Sequence, residues 1–266
     1  SNMVHLWQQV NKWTENKKGH DACPRFGADT KRRETMRDLI DTTEMYLKTI
    51  YELEEDGITP LRARIVERLG HSGPTVSQTI ARMERDGLVI VEEDRTLTLT
   101  DEGKGLAIEV MRKHRLAERL LVDVIGFDWT LAHEEACRWE HVMSDRVEHK
   151  LKEILDCTKK DPYGNPVPGE WELPEGLISL LDVHASLAEG EYLIAELARL
   201  GEPVQSEVNA LSALDDIKMR PGDEISITLR DGELMLSQSG KSAKSEGSVA
   251  IPDWAEPHIF ILMTTL

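Results

Sequence analysis

The chain has 266 residues, with 32 Lys plus Arg against 49 Asp plus Glu and a formal charge of −17. That length suits two or three domains with real cores, and 40% apolar with 30% charged residues excludes wholesale disorder. Three cysteines (Cys23, Cys137, Cys157) are too few for a disulfide framework and no apolar run reaches the roughly 18–20 residues of a membrane span. The expectation is therefore a cytoplasmic protein with no membrane partner.

Such acidity argues against nucleic acid, but the charge is uneven. Residues 1–35 carry 7 basic and 4 acidic side chains, 36–160 carry 19 and 26, and 161–266 carry 6 and 19. Between Arg62 and Arg85 the sign reverses, with five Arg against two Glu. Salt screens charges beyond about 8–10 Å, so this local patch decides phosphate contact.

Residues 1–35 show no sustained period and begin Ser-Asn, which reads as a cleavage remnant on an added or loosely ordered extension. Asp41-Thr42-Thr43-Glu44 then opens an amphipathic helix carrying Met45, Ile50 and Leu53, closed by Gly57 and Pro60. A short helix over 61–69, the turn Gly70-His71-Ser72-Gly73 and a helix to Asp86 follow, with Pro74 in the first turn and Gly87 as the stop. Residues 88–91 and 97–99 alternate about a polar turn as a hairpin. Three helices ending in a hairpin read as a winged helix-turn-helix over 36–100. A long helix follows to Ile125, with further helices over 129–143 and 147–155, a helical domain of 101–160. The Pro/Gly-rich stretch 161–176 reads as a linker. Residues 177–266 read as a β-rich domain, with a hairpin about Asp231-Gly232 and a last strand over 258–263. Periodicity alone makes 177–200 helical, although Glu189-Gly190-Glu191 also suits a turn between strands.

The sharpest chemistry lies in the helical middle. His114 and Glu118 are four residues apart, as are His133 and Cys137, while Cys137, Glu140 and His141 follow at i, i+3 and i+4. Such spacings put each group on one helix face. Two such faces together offer imidazole, carboxylate and thiolate, a set suited to a divalent transition metal. Taken singly, His114 among Arg112, Lys113 and Arg115 reads as solvated, and Cys137 beside Trp139 as core filler. A metallohydrolase or a metal-storing protein would present similar clusters.

The strings Asp41-Thr42-Thr43-Glu44-Met45-Tyr46-Leu47, Ser72-Gly73-Pro74-Thr75-Val76-Ser77-Gln78-Thr79, Met83-Glu84-Arg85-Asp86-Gly87-Leu88, Met111-Arg112-Lys113-His114-Arg115-Leu116-Ala117-Glu118-Arg119-Leu120-Leu121 and Cys137-Arg138-Trp139-Glu140-His141-Val142-Met143-Ser144 resemble the iron-dependent repressors of the diphtheria toxin repressor family. The likeness runs from Met36 to Gly169. It continues more weakly into what would be an SH3-like β-barrel, and residues 1–35 have no counterpart.

The resemblance implies a mainly α protein with a small β domain, not an enzyme. It implies two Fe(II) sites per subunit. The primary site would be Met45, Cys137, Glu140 and His141. The ancillary site would be His114, Glu118 and His133 with Glu202 and Gln205, which would make the segment before Glu202 a strand. A thioether and a thiolate are soft donors poorly matched to Mn(II), so Fe(II) is favoured over the manganese-sensing branch. Co(II), Ni(II), Zn(II) or Mn(II) would substitute in vitro. Binding would release protons as Cys137 ionises and the histidines become neutral. The partner would be a palindromic double-stranded DNA operator, bound by one or two homodimers with Trp139 at the dimer interface. Ser72, Pro74 and Gln78 would face bases, and Thr42, Arg62, Arg64, Thr75, Ser77, Arg82, Arg85 and Arg95 would face phosphates. The turn before Met45, residues 37–42, would unwind as the switch, and residues 1–35 attach where it must move.

Overall fold

The computed structural model describes residues 42–156, 158–239 and 247–263. The extension over 1–35 and all of the expected switch turn except Thr42 lie outside the described residues.

Helix α1 (Thr42–Glu55) buries two opposite faces. Tyr46, Ile50 and Leu53, at i, i+4 and i+7, point into one core, while Lys48 and Glu52 are buried on the other side. α2 (Arg62–Leu69) stops at Gly70, whose φ of 65° needs the left-handed backbone that glycine adopts freely. α3 (Gly73–Arg85) is capped by the Ser72 hydroxyl, which accepts from the Thr75 N–H at 3.3 Å. Tyr46 and His71 share a 2.9 Å hydrogen bond that fixes the turn against α1. β1 (Val89–Val91) and β2 (Leu97–Leu99) pair antiparallel, and with Ile65, Val76, Ile80, Met83 and Ala107 they close the first core. The expected winged helix-turn-helix is present.

α4 (Asp101–Arg119) starts at a Thr100 cap and passes through Gly103 against the wing. The expected continuous helix to Ile125 changes character after Arg119: Leu120–Ile125 is a π-helical turn, ended by Gly126 at φ 72°. α5 (Ala132–Trp139) and α6 (Asp145–Ile154) pack on α4 around Leu116, Ala117, Ala132, Ala136 and Leu151.

The stretch expected as a linker is not a solvent-washed tether at its start. Asp161, Tyr163, Asn165 and Val167 are buried. Asp161 Oδ1 accepts from the N–H groups of Tyr163 (2.7 Å) and Asn165 (2.9 Å), an Asx-type turn that holds the prolines in place. Tyr163 packs in the C-terminal core beside Trp129 and donates to its carbonyl at 2.7 Å. Proline and glycine here shape a buried crossing.

The ambiguous region 177–200 resolves into both readings. β3 (Leu177–Ser179), α7 (Leu180–Ser186) and β4 (Tyr192–Leu200) follow one another, the helix capped by Ser179. α8 (Glu202–Gln205) and α9 (Val208–Asp216) precede β5 (Glu224–Arg230), β6 (Glu233–Gln238), β7 (Ser248–Ile251) and β8 (Ile259–Met263). The six strands form one antiparallel sheet in the order β3-β8-β4-β5-β6-β7. So the C-terminal unit is an antiparallel sheet domain as expected, with three helices that its strand pattern does not announce. No described helix is long and apolar enough to cross a membrane.

A Cβ built on Gly103 would lie 2.0 Å from the Leu88 carbonyl oxygen, while one on Gly105 meets nothing within 4 Å. Gly103→Ala should therefore lower the unfolding free energy by about 1–3 kcal/mol in urea denaturation. Gly105→Ala should be neutral or mildly stabilising, and equal behaviour of the two would refute the close packing of α4 on the wing.

Candidate metal centre

The cluster is assembled from four helices. α1 contributes Met45, Lys48 and Glu52, α4 contributes His114 and Glu118, α5 and its end contribute His133, Cys137, Glu140 and His141, and α8 contributes Glu202 and Gln205. The i, i+4 pairs do share faces. His114 Nε2 lies 2.7 Å from Glu118 Oε1, and Cys137 Sγ lies 3.6 Å from His133 Nε2. Between helices, His114 Nδ1 is 2.6 Å from Glu140 Oε2, and its Nε2 is 3.2 Å from His133 Nδ1. Glu202 Oε2 approaches His133 at 3.5 Å and His114 at 3.7 Å. Ligating atoms of His114, His133 and Cys137 all lie within 4.8 Å of one another. Seven of the expected ligands, His114, Glu118, His133, Cys137, Glu140, His141 and Glu202, are thus linked by these contacts, the two expected sets adjoining at His114–Glu140 and at His133–Cys137. Met45, His133, Cys137, Glu140, His141 and Glu202 line a cleft of about 390 Å³.

Three buried oxygens there lack any hydrogen-bond donor: Glu118 Oε2, Glu202 Oε1 and Gln205 Oε1. A buried acceptor without a partner is costly, and a cation supplies what protein donors do not. Gln205 spends its amide N–H on the Leu200 carbonyl at 2.7 Å, which leaves the oxygen free. The donor set of thiolate, imidazole and carboxylate fits a divalent transition ion.

Electrostatics prepare the same groups. Burial alone would raise the Cys137 thiol, but His133, Lys48 and His114 outweigh it and bring it down to about 5. Burial works against charge on His133 as well, yet Cys137 and Glu202 lift it to about 10. Burial likewise opposes charge on Glu140, whose carboxyl Lys48 and His114 hold well below the usual range. His141 rises to about 9 against its burial, through hydrogen bonds to Glu140 (3.0 Å) and Glu44 (2.6 Å). With the Cys137 thiol held low and the His133 and His114 imidazoles held high, the imidazoles are the groups that a bound metal would have to deprotonate most.

Sequence reasoning missed Glu44, Lys48, Glu52 and Ser206. The Glu44 carboxylate orients His141, and Ser206 Oγ lies 3.2 Å from His133 Nε2. Lys48 Nζ sits inside the cluster, 2.9 Å from Glu140 and 3.2 Å from His114. Burial and Glu202 push Glu52 up to about 8. The available signal was the spacing of 44, 45, 48 and 52 on the side of α1 opposite Tyr46 and Ile50.

At the other end of the winged helix, Ser72, Pro74, Thr75, Ser77, Gln78, Arg85 and Arg95 are exposed. Arg95 holds a left-handed φ of 74° at the wing tip. Thr42 and Arg64 are also exposed, Arg64 pairing with Glu67 at 2.9 Å. Arg82 is also exposed and donates to Thr43 at 3.2 Å, and Arg62 is half-buried. Trp139 is half-buried, its indole N–H donating to Glu135 at 2.8 Å. Val124, Ile125, Leu131 and Val142 leave large apolar side chains exposed on the same helical domain.

Two family models match the chain. One, described as the N-terminal DNA binding domain of iron dependent repressors, covers residues 38–97, and the other, their metal binding and dimerisation domain, covers 100–169. The chain is 53% identical over 216 residues to the diphtheria toxin repressor of Corynebacterium glutamicum, spanning 79% of this chain and 93% of that protein. It is 51% identical over 206 residues to the iron-dependent repressor IdeR of Mycobacterium tuberculosis, spanning 74% and 88%. Among solved structures, a manganese-dependent transcriptional repressor in complex with manganese superposes with a TM-score of 0.68 at 25% identity, over 84% of this chain and 100% of that one.

In a variant with Cys23 and Cys157 replaced by Ser, metal-free Cys137 should ionise with a midpoint near pH 5, followed by thiolate absorbance. A midpoint above 8 would refute the electrostatic account of the site.

Proposed function

We propose that this chain, which belongs to the iron-dependent repressor family, is an Fe(II)-activated, DNA-binding transcriptional repressor of iron-uptake and siderophore genes. It acts as a homodimer on a palindromic operator, by binding and not by turnover. One observation carries this reading: the wall of the donor cluster is the back of the same helix, α1, whose front face completes the core of the DNA-binding domain.

The primary ion would be held by Met45, Cys137, Glu140 and His141, and the ancillary ion by His114, Glu118, His133, Glu202 and Gln205. When bound, a divalent ion supplies a common attachment for donors from separate elements, which biases any equilibrium in which those elements move apart. The rest is done by the chain. Met45 lines the same cleft as Cys137 and Glu140; Glu44 fixes the His141 ring; the Tyr46–His71 bond passes the position of α1 to the turn before α3. Glu202 and Gln205 bring the sheet domain to the same cluster.

On DNA, Pro74, Ser77 and Gln78 present an exposed face at the start of α3. Gln78 suits adenine and Pro74 a thymine methyl. Ser72 is committed to capping and to the Thr75 hydroxyl at 2.8 Å, so its readout is secondary. Thr42, Arg64, Thr75, Arg85 and Arg95 position the protein on phosphates, with Arg62 and Arg82 joining after rearrangement. Fe(II) is preferred because Met45 and Cys137 are soft donors, and the relative from Mycobacterium tuberculosis, 51% identical, is named an iron-dependent repressor. The manganese-dependent repressor is more distant in sequence.

Operator binding in a mobility-shift titration should require Fe(II) or Co(II) and vanish after chelation; equal affinity with and without metal would rule out the switch. Cys137→Ala and Met45→Ala should abolish the metal response, whereas His114→Ala should only weaken it. The reverse ranking would mean that the two ligand sets are interchanged.

A further inference from the structure

Lys48 is a cation set among these donors that is not itself a potential ligand. It is 7% exposed, and its Nζ touches groups from three other elements. Glu140 Oε2 is at 2.9 Å, His114 Nδ1 at 3.2 Å, Glu202 Oε2 at 3.5 Å and Cys137 Sγ at 3.8 Å. An ammonium surrounded by oxygen, nitrogen and sulfur at these distances occupies the place of a coordinated ion.

We propose that Lys48 is a resident counter-cation that holds the donor cluster together without metal and must swing out before either ligand set can close on a divalent ion. The proposal rests on the reading of this cluster as a metal centre.

The argument is geometric and electrostatic. Metal–ligand bonds to nitrogen, oxygen and sulfur run near 2.0–2.3 Å, so an ion on Glu140, His114 or Cys137 would stand against the ammonium. Two cations at such a distance repel strongly where water is excluded. The neighbouring carboxylate on its own helix can receive the side chain. Glu52 lies one turn further along α1, its Oε1 already 3.9 Å from Nζ and its other oxygen 3.5 Å from Arg68. Those oxygens accept the ammonium whether or not the carboxyl carries a proton. Glu52, Arg68, Pro203 and Trp254 line the cleft beside it, so the path is open.

A second consequence follows from which groups Lys48 touches. Glu140 and Cys137 belong to the proposed primary set, His114 and Glu202 to the ancillary one. A single expulsion therefore clears both, and the first ion to bind removes an obstacle to the second. Lys48 makes the two sites positively cooperative, with no contact between the ions required.

Titration of metal-free protein with Co(II), read by its absorption bands, tests this, with circular dichroism to confirm folding. In wild type the binding should be cooperative; no Co(II) binding at all would overturn the metal centre and Lys48's role with it. Lys48→Met keeps the stem and removes the charge. It should bind the first Co(II) about tenfold tighter and lose cooperativity, and metal should raise its Tm by more than that of wild type. Unchanged or weaker Co(II) binding in folded Lys48→Met would overturn the proposal while leaving the metal centre standing. A double-mutant cycle covers poor folding of that single variant. Glu52→Met should weaken Co(II) binding in wild type and have little effect beside Lys48→Met. Equal losses in both backgrounds would mean that Glu52 does not receive the ammonium.

Discussion

The molecule depends on one helix being buried on two sides. α1 gives Tyr46, Leu47, Ile50 and Leu53 to an apolar core and Lys48 and Glu52 to a polar one. Burying charges on a helix is expensive unless partners are in place, and here they come from α4, α5 and α8. The apolar face makes α1 part of the DNA-binding domain, and the polar face makes it part of the donor cluster. Neither function can move α1 without the other sensing it.

The cluster is also close to balanced in charge. Glu118, Glu140, Glu202 and the Cys137 thiolate stand against Lys48, His114, His133 and His141, and each side holds the other ionised. Removing one member of such a set leaves a buried, uncompensated charge. The three donorless oxygens, on Glu118, Glu202 and Gln205, mark where that balance is incomplete in hydrogen bonding.

Much of this was legible from spacing, because helical periodicity is local. His114 with Glu118 and His133 with Cys137 share faces as their separations require. That the two faces meet is a tertiary fact, and only the resemblance to a known family pointed to it, as it did for Met45, Glu202 and Gln205. Lys48 and Glu52 stayed hidden because charged residues on an amphipathic helix look like a solvated face; nothing local says that a second wall covers them. The stretch from Asp161 misled for a related reason. Proline and glycine mark irregular backbone, and Asp161 satisfies that backbone internally, so it can be buried. Residues 177–200 mixed two periods because a seven-residue helix sits between two strands, too short for either pattern to dominate.

The carboxy-terminal end of α1 is tied into the sheet domain. Just past the C-terminal end, Asp56 is fixed by Arg199 and His258 of the sheet domain, each at 2.7 Å, with Arg68 at 3.5 Å. Arg115 clamps Glu55 with two nitrogens while also donating to the Pro166 carbonyl. None of the Asp56 pairs involves a proposed ligand, whereas Arg115 also lies 4.0 Å from Glu202. At the start of the helix Glu44 pairs with His141 at 2.6 Å and Thr43 accepts from Arg82 at 3.2 Å. Met45 stands on this first turn and lines the same cleft as Cys137 and Glu140. Were the three to share an ion, as proposed, its bonds would bear on the amino-terminal turn of α1, while the opposite face of the helix stays in the apolar core.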